Sequence, residues 1–328
     1  MLRVNIVSDD NGAGLSRDIR LIAEMCVGAG MEVTISPIPR RRGWRHFLSA
    51  VQIFDARCAR LRRREQYLFD VNIFIELVRP EWLPFARHNC LIPNQEWYHE
   101  QWLPYLPAFD VVLCKTRYAQ DIFAARGCRT FFTSFTGGDY DDPDCRKDYR
   151  TPLHLAGKSR QKGTRVLVDI WRKHPEWPTL YLEQDPSMLE DYGGIANINY
   201  VPRFLYGAEL WQVENSHGLH LCPSEAEGFG LYLIEAMATR ALIITTDGPP
   251  MNELVTPERG LLVDVQRSEA QGLGMNYYVD PAALERKIGE ALEMEDAAKA
   301  RLGHEARAWY LDNDRFFRRE FITAINGL

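Results

Sequence analysis

Short apolar runs alternate with amphipathic stretches along most of this chain. The run at 2–8 predicts a strand, and apolar residues at positions 19, 22, 23, 26 and 27 predict a helix over 15–27. Glycines at 28 and 30 end this helix before a second predicted strand at 31–35. Further strands are predicted by the apolar runs at 70–76, 89–93, 109–114 and 130–135. Runs that are apolar at nearly every position are typical of parallel sheets, which are buried on both faces.

The second half of the chain repeats this alternation. Strands are predicted at 152–156, 180–183, 198–201, 218–222 and 241–246, and helices at 164–173, 231–238, 281–294 and 296–310. Strands that alternate with helices indicate an α/β fold. Because 328 residues exceed the usual size of one domain, we expect two domains, over 1–145 and 146–310. A closing helix over 311–328 is predicted to return to the first domain.

A polar segment at 139–150 separates the two predicted domains. It contains Pro143 and shows no apolar periodicity, which favours a linker. The segment also shows Asp-x-Asp spacings, which occur in metal sites, among the acids Asp139, Asp141, Asp142 and Asp144. In a linker such acids are more typical of solvated turn-forming residues, and we therefore predict no metal site.

Composition and charge argue against several classes of protein. The net charge of −6 and the pI near 5.8 disfavour a nucleic-acid-binding protein. The seven cysteines form no close pair and no metal-ligand spacing, which favours reduced thiols. No signal peptide follows Met1, and no apolar run approaches the roughly 20 residues that span a bilayer. We therefore expect a cytoplasmic protein, either soluble or peripheral on the inner face of the cytoplasmic membrane.

The segment 40–64 is strongly basic, because its only acid is Asp55. Apolar side chains recur within it at helical spacing, at Trp44, Phe47, Leu48, Val51, Phe54, Cys58 and Leu61. This pattern predicts an amphipathic helix whose apolar face packs on its own sheet. Its basic residues are Arg40, Arg41, Arg42, Arg45, Arg57, Arg60, Arg62, Arg63 and Arg64. These arginines are either solvated or attracted to an anionic membrane leaflet or a phosphorylated acceptor.

The most informative stretch joins a predicted strand at 218–222 to an apolar helix that begins at Leu231. The loop between them contains Gly228 and Gly230. These glycines let the backbone approach a ligand closely, and the free N–H groups at the helix start favour a phosphate. The loop is therefore a candidate anion site.

Two carboxylates flank this candidate anion site. Glu227 and Glu235 lie eight residues apart, at most about 12 Å along a helix, which suits recognition of hydroxyl groups. Glu235 is the single carboxylate in an apolar helix, so its burial requires a partner. In the alternative interpretation, Glu235 pairs with Arg240 or another cation, and Glu227 only favours the helix N-terminus.

A second strand, loop and helix arrangement lies at 152–173. Gly157 follows the strand, and the cations Lys158, Arg160 and Lys162 precede a helix that begins at Thr164. Cations beside a helix N-terminus predict a second phosphate site. The alternative is a loop of exposed cations with no ligand.

The first loop of the chain, 9–14, invites comparison with a dinucleotide fingerprint. Arg17 occupies the position of the third glycine, and the second strand ends at Ser36 and Pro37 without an acid for a ribose. These differences disfavour a nicotinamide-dependent dehydrogenase.

The stretch 217–255 resembles the Glu-x7-Glu motif of the retaining GT-B glycosyltransferases of family 4. Glu227 and Glu235 occupy the two acidic positions, and the strand at 241–246 and the turn at 247–255 continue the pattern. Pro249 differs, because the family usually has a second glycine there. The resemblance implies a GT-B fold, in which two Rossmann-like domains face each other across a cleft.

The resemblance also implies roles for donor-binding residues. Glu235 is expected to bind ribose hydroxyls, and Glu227 a hydroxyl of the donor sugar. Lys162, with Lys158 or Arg160, is expected to neutralise the donor diphosphate, although the family usually has arginine at position 158 and a loop one residue longer. Other expected donor contacts are Gly228, Phe229, Gly230, Leu231, Arg203, Gly12 and Gly14.

On the acceptor side, many members of the family place a histidine near position 96. This chain offers Asn94 and His99, and we expect both to contact the acceptor, together with Arg17 of the first loop. Glu96 is expected to orient the acceptor hydroxyl or to act as its base. The alternatives are N-capping or a surface charge for Glu96, and a plain tight turn for the first loop.

The resemblance predicts a retaining, metal-independent glycosyltransferase that needs no cofactor. It would move a sugar from a nucleotide-diphosphate sugar to a glycan or lipid-linked acceptor, in cell-surface polysaccharide or lipopolysaccharide synthesis. A nucleotide-sugar epimerase or a sugar phosphorylase of the same fold would share the anion sites. A nicotinamide-dependent oxidoreductase and a non-catalytic nucleotide-sugar sensor are the remaining alternatives.

Overall fold

In the computed structural model of the chain, the described residues are 1–9, 14–38, 42–63, 66–188 and 190–328. The chain divides into two compact units. The N-terminal unit contains 1–135, 272–274 and 315–328, and the C-terminal unit contains 136–271 and 275–314. Each unit contains a parallel sheet, so the predicted α/β fold class is confirmed.

The N-terminal sheet has six strands in the order β2-β1-β3-β4-β5-β6. They are β1 Arg3–Asp9, β2 Glu32–Ile38, β3 Phe69–Ile75, β4 Ala86–Ile92, β5 Val111–Cys114 and β6 Thr130–Phe132. The helices are α1 Gly14–Gly28, α2 Arg42–Arg63 and α3 Arg117–Ala124, with 3₁₀ segments at Pro80–Phe85, Gln95–Trp97 and Glu100–Ala108. All five strand pairs are parallel, so the carboxyl ends of the strands share one edge of the sheet.

The C-terminal sheet has the order β12-β11-β10-β7-β8-β9. Its strands are β7 Asp148–Gly157, β8 Leu180–Gln184, β9 Ile198–Val201, β10 His217–Cys222, β11 Leu242–Thr246 and β12 Leu261–Val263. The helices are α4 Thr164–Lys173, α5 Gly207–Ser216, α6 Leu231–Ala238, α7 Met251–Leu254, α8 Pro281–Glu293 and α9 Asp296–Asn326, with a 3₁₀ segment at Pro186–Met188. Side chains from this sheet, α4 and α8 form one core around the fully buried Trp171.

Several elements differ from the sequence predictions: α5, α7 and β12 were not predicted, and β7 begins at Asp148, within the predicted linker. Asp296–Asn326 is one continuous helix, whereas the sequence predicted a helix that ends at 310. Residues 311–314 contain neither glycine nor proline, so nothing in them breaks the helix. The hairpin of β13 Val265–Gln271 and β14 Gly274–Val279 was not predicted.

The face of α2 that packs on the core is not the one that the sequence predicted. Ala56 is buried, and Ile53 and Ala59 pack against the core of the N-terminal unit. By contrast, Phe54 is 65% exposed and Leu61 is 76% exposed. Helical residues advance by about 100° each, which puts Phe54 and Leu61 on roughly the opposite side from Ala56. The predicted packing of these apolar positions on the sheet is therefore wrong.

The acids of the predicted linker are also not simply solvated. Asp139 accepts two hydrogen bonds from Arg307, from Nη1 at 2.6 Å and Nη2 at 2.9 Å. Asp141 accepts one from Arg240 Nε at 2.9 Å. Asp142 and Asp144 agree with the prediction, because both are exposed and Asp142 Oδ1 accepts the backbone N–H of Asp144 in a turn. Asp139 and Asp141 are therefore paired with arginines that lie far along the chain.

Candidate active site

Two loops meet at the carboxyl edge of the C-terminal sheet. One joins β7 to α4 and ends at Gly163, and the other joins β10 to α6 and ends at Gly230. Both glycines have positive φ, 70° and 108°, which disfavours residues with a side chain. A Cβ on Gly163 would collide with the carbonyl oxygen of Pro223. The two loops therefore pack backbone against backbone, which requires glycine at 163.

Lys162 and Glu227 are brought together by this packing. Lys162 Nζ lies 2.5 Å from Glu227 Oε1, and the two side chains are only 15% and 12% exposed. Ser224 Oγ also donates to Glu227 Oε1, at 2.5 Å, and contacts the hydroxyl of Tyr232. The ammonium of Lys162 lies 3.6 Å from the centroid of the Tyr232 ring. The result is a largely buried cluster in which the cation of Lys162 is paired with the carboxylate of Glu227.

Ser224 and Tyr232 were not among the predicted site residues. Tyr232 is the second residue of α6, where an aromatic ring in an apolar run looks like an ordinary core residue. The signal that could have found it is its hydroxyl, which needs a partner when it is buried. Burial raises the pKa of Tyr232 well above its usual value, so the phenol stays neutral.

A buried histidine forms hydrogen bonds to residues that flank the two loops. His154 on β7 contacts the carbonyl of Leu221 through Nδ1 at 2.7 Å and the hydroxyl of Thr164 through Nε2 at 2.9 Å. Burial lowers the pKa of His154 to about 4, so the ring is neutral near pH 7. A neutral ring can donate from Nδ1 to the carbonyl and accept at Nε2 from the hydroxyl. His154 thereby links β7, β10 and the first residue of α4.

Glu235 is buried within α6, as its apolar surroundings predicted, and is 5% exposed. The alternative interpretation paired it with Arg240. Arg240 instead pairs with Asp141 and donates to the carbonyl of Asp142. Gly137 packs beside α6, where an added Cβ would lie 3.9 Å from Glu235 Cγ.

The other predicted donor contacts have different surroundings. Lys158 is half-exposed, with Nζ 3.6 Å from Asp185 Oδ2 and 5.1 Å from the Phe204 ring, and the side chain of Arg160 is exposed. Arg203 donates two hydrogen bonds to Glu209 at the surface. Gly228 and Phe229 are buried in the loop, and Leu231 is the first residue of α6. The structure therefore brings Lys162 to Glu227, while Lys158 and Arg203 pair with other acids.

The β13-β14 hairpin holds the two loops together. The backbone N–H of Tyr277 donates to the carbonyl of Glu225 at 2.6 Å. The side chain of Gln161 donates to Asn276 Oδ1 at 2.8 Å, and its carbonyl accepts the N–H of Glu225. Gln161 therefore contacts the hairpin and both loops at once.

The acceptor-side predictions and two of the predicted donor contacts, Gly12 and Gly14, fall in the N-terminal unit. Gly12 lies outside the described residues, Gly14 is the first residue of α1, and Arg17 follows it on that helix. His99 is exposed, with its ring 5.0 Å from that of Trp102. Glu96 is 4% exposed, so it is a buried residue of the 3₁₀ segment and not a surface charge.

Asn94 has partners that the sequence did not predict. Its side chain lies between Lys115 and Glu76 and forms a hydrogen bond with each. Neither of these charged residues was among the predicted site residues. In the part of the chain that the structure describes, no group of three or more His, Cys, Asp and Glu side chains is arranged to hold a metal ion.

The C-terminal part of the chain is similar in sequence to a known family. Residues 187–309 match the family described as "Glycosyl transferases group 1". The predicted resemblance to these glycosyltransferases is confirmed. The lipopolysaccharide core biosynthesis mannosyltransferase LpcC of Rhizobium leguminosarum bv. viciae is 28% identical over 172 residues, which cover 47% of this chain and 49% of LpcC. The match therefore spans about half the length of that relative.

Solved structures resemble the chain over nearly its full length. Sucrose-phosphate synthase from Thermosynechococcus elongatus has a TM-score of 0.69 at 17% identity, covering 98% of this chain and 100% of its own. HepE of Anabaena, in complex with UDP and glucose, has a TM-score of 0.69 at 13% identity and covers 100% of both chains. A glycosyltransferase from Rickettsia africae ESF-5 has a TM-score of 0.67 at 13% identity, over 98% and 97% of the two chains. The predicted GT-B fold is confirmed.

Proposed function

We propose that this protein is a retaining glycosyltransferase that uses a nucleotide-diphosphate sugar. The observation that carries the proposal is the Lys162–Glu227 pair, held between two glycine loops at the edge of the C-terminal sheet. A cation and a carboxylate side by side suit a ligand that presents a diphosphate next to sugar hydroxyls. The match to group 1 glycosyltransferases supports this assignment.

The chemistry follows from these charges. Lys162, with Lys158 or Arg160, and the loop N–H groups stabilise the departing diphosphate. Glu235 binds the ribose hydroxyls, and Glu227 holds a hydroxyl of the donor sugar. The acceptor hydroxyl attacks the anomeric carbon from the leaving-group side as the bond to the diphosphate breaks. The hydroxyl proton passes to the diphosphate, so the configuration is retained with neither a metal ion nor a cofactor.

We propose a glycan or lipid-linked acceptor in cell-surface polysaccharide or lipopolysaccharide synthesis. The proposal is supported by LpcC, which is named as a mannosyltransferase of lipopolysaccharide core biosynthesis. HepE, whose structure contains UDP and glucose, supports a nucleotide-diphosphate sugar as the donor.

A thermal-shift screen with UDP, GDP, ADP, CMP and their sugars tests the donor site. A ligand that binds only the folded protein, at about 100 times its dissociation constant, adds roughly 2.7 kcal/mol to the unfolding free energy and raises Tm by a few degrees. We expect one nucleotide family to stabilise the wild type, and Glu235→Ala to lose most of that gain. Glu258→Ala, an exposed carboxylate of the same unit, is the matched control and should keep it. Stabilisation by nicotinamide nucleotides alone, or by none of these ligands, would contradict the proposal.

We propose that α2 docks on an anionic membrane surface. Its outer side presents exposed Val51, Phe54 and Leu61 together with exposed Arg57 and Arg62. An apolar stripe beside arginines complements the interface of an anionic leaflet, where each charge contributes about 1 kcal/mol. Arg40, Arg41 and Arg64 lie outside the described residues. Among those that are described, no helix is both long and apolar enough to cross a bilayer.

Vesicle co-sedimentation measures this docking. The wild type should bind phosphatidylglycerol-containing vesicles more tightly than phosphatidylcholine vesicles, and added salt should weaken binding. The double variant Arg57→Gln, Arg62→Gln should lose roughly 30-fold in affinity, since two charges contribute about 2 kcal/mol. Val27→Ser, which removes an exposed apolar residue from α1, should bind as the wild type does. Equal binding to both vesicle types would rule out charge-directed docking.

A further inference from the structure

Polar side chains converge at the carboxyl edge of the N-terminal sheet. Glu76 directly follows β3, Asn94 follows β4, and Lys115 directly follows β5. These three strands are neighbours in the order β3-β4-β5. The carboxyl ends of parallel strands are where α/β proteins bind ligands, so this convergence is at the expected place for a site.

The three side chains form one hydrogen-bonded row. Lys115 Nζ donates to Asn94 Oδ1 at 3.1 Å, and Asn94 Nδ2 donates to Glu76 Oε2 at 3.1 Å. Lys115 Nζ also lies 3.4 Å from Asp18 Oδ2 on α1 and 4.5 Å from the ring centroid of Phe135. Both the oxygen and the nitrogen of the Asn94 side-chain amide are hydrogen-bonded. Lys115 therefore fixes the orientation of Asn94, and Asn94 in turn fixes the carboxylate of Glu76.

Burial differs along the row. Lys115 and Asp18 are 3% and 5% exposed, whereas Glu76 is only half-buried. Glu76, at one end of the row, is therefore more exposed to solvent than Lys115 at the other end. Its backbone has a φ of 67°, a left-handed conformation that costs a non-glycine residue of order 1 kcal/mol or more. The strain indicates that the rest of the fold holds this carboxylate in a set place.

The charges define the ligand that fits. Lys115 faces the carboxylates of Asp18 and Glu76, while Asp9 at the end of β1 also acts on Glu76 and the guanidinium of Arg17 acts on Asp18. Among the described residues, three carboxylates thus meet two cations. An excess of carboxylates repels phosphate, in contrast to the Lys162 loop. A fixed carboxylate accepts hydrogen bonds from hydroxyl groups, and such charge-assisted bonds are about twice as strong as neutral ones.

We propose that Glu76, positioned by Asn94 and Lys115, binds hydroxyls of a neutral sugar unit in the acceptor. The inference rests on the proposed glycosyltransferase function and adds to it the residue that recognises the acceptor. Glu76 contacts the acceptor directly, while Asn94 and Lys115 act through it as positioning residues. Anionic sugars are poor ligands for this site because their phosphates meet its carboxylates.

Ligand-observed NMR titration tests the inference on the full chain. The probes are methyl α-mannopyranoside, methyl α-glucopyranoside and mannose 6-phosphate. We expect a neutral glycoside to bind the wild type, mannose 6-phosphate to bind less tightly, and Glu76→Gln to weaken the glycoside about 10-fold or more. Glu81→Gln removes another half-buried carboxylate of the same unit, one that pairs with Arg79, and it should bind as the wild type does.

Further variants separate binding from folding. Glu76→Asn removes the carboxylate with a residue that tolerates left-handed backbone, so it should fold and still lose glycoside binding. Asn94→Ala should weaken the glycoside as well, and Asn94→Gln, which keeps both ends of the amide, should restore part of the affinity. Unchanged glycoside binding in Glu76→Gln and Glu76→Asn, no glycoside binding by the wild type, or a preference for mannose 6-phosphate would each overturn the inference.

The nucleotide thermal shift is measured on the same samples. If nucleotides stabilise every variant while glycosides fail to bind the wild type, the acceptor inference fails and the donor proposal stands. If no nucleotide stabilises the wild type, the proposed function itself fails.

Discussion

Lys162→Met is expected to lower the rate of sugar transfer from a nucleotide-diphosphate sugar by about 10²- to 10³-fold. Removing one donor that is already in place for developing charge costs roughly 3–4 kcal/mol of transition-state stabilisation in other enzymes. Lys162 meets that description, because it is held by Glu227 and by the face of Tyr232. Single-turnover measurement of donor consumption, with and without acceptor, separates this effect from slow product release.

Lys158→Met is the matched control for this experiment. Lys158 is a half-exposed lysine of the same loop, and its ammonium pairs with Asp185. We expect its loss to slow transfer by about tenfold or less, since an exposed charge in water contributes little. Equal losses in the two variants would show that the loop contributes only general positive charge. If Lys162→Met transferred the sugar as fast as the wild type, Lys162 would have no role in the mechanism.

Glu227→Gln is expected to change nucleotide binding and sugar transfer in opposite directions. Glu227 lies 2.5 Å from the ammonium of Lys162, so a diphosphate that binds Lys162 must compete with this carboxylate for the cation. Replacing the carboxylate with an amide releases Lys162 and removes a charge that repels phosphate. The free nucleoside diphosphate should therefore bind about tenfold more tightly, which corresponds to about 1.4 kcal/mol. Transfer should fall by at least about 10²-fold, because the neutral amide no longer accepts a charge-assisted bond from the sugar hydroxyl.

Isothermal titration with the nucleoside diphosphate and with its sugar measures both parts of the Glu227 prediction. The sugar moiety should add affinity in the wild type and little or none in Glu227→Gln. Glu225→Gln, in the same loop, is the control, because it removes a carboxylate that has no contact with Lys162 in the described structure. Weaker binding of the nucleoside diphosphate to Glu227→Gln than to the wild type would show that Glu227 does not compete with the ligand for Lys162.

The two glycine loops could be predicted because their signals are local. A strand, a glycine and a helix start follow one another within about a dozen residues, and the φ values of 70° at Gly163 and 108° at Gly230 agree with the glycines found there. The alternation of apolar and amphipathic segments similarly indicated the parallel sheets. The spacing of Glu227 and Glu235 is also a local feature, because one residue lies in the loop and the other in the helix that directly follows it.

Predictions that depended on which surface an element meets were less successful. Apolar spacing located α2 as a helix, but Ala56 packs on the core while Phe54 and Leu61 are exposed. Small residues allow a helix to approach a sheet closely, so the larger apolar residues were a misleading guide to the packed face. The same limit applies to Asp139 and Asp141, whose partners Arg307 and Arg240 lie far along the chain.

Local sequence was enough to predict the class of fold, the positions of the glycine loops, and Lys162 and Glu227 as candidate residues of a donor site. How these residues combine became visible only in the folded chain. Folding places Ser224 and Tyr232 around the Lys162–Glu227 pair, and it aligns Glu76, Asn94 and Lys115 along one edge of a sheet. The physical reason is that backbone conformation and apolar periodicity follow from neighbouring residues, whereas hydrogen bonds and ion pairs join strand ends that are adjacent only after folding.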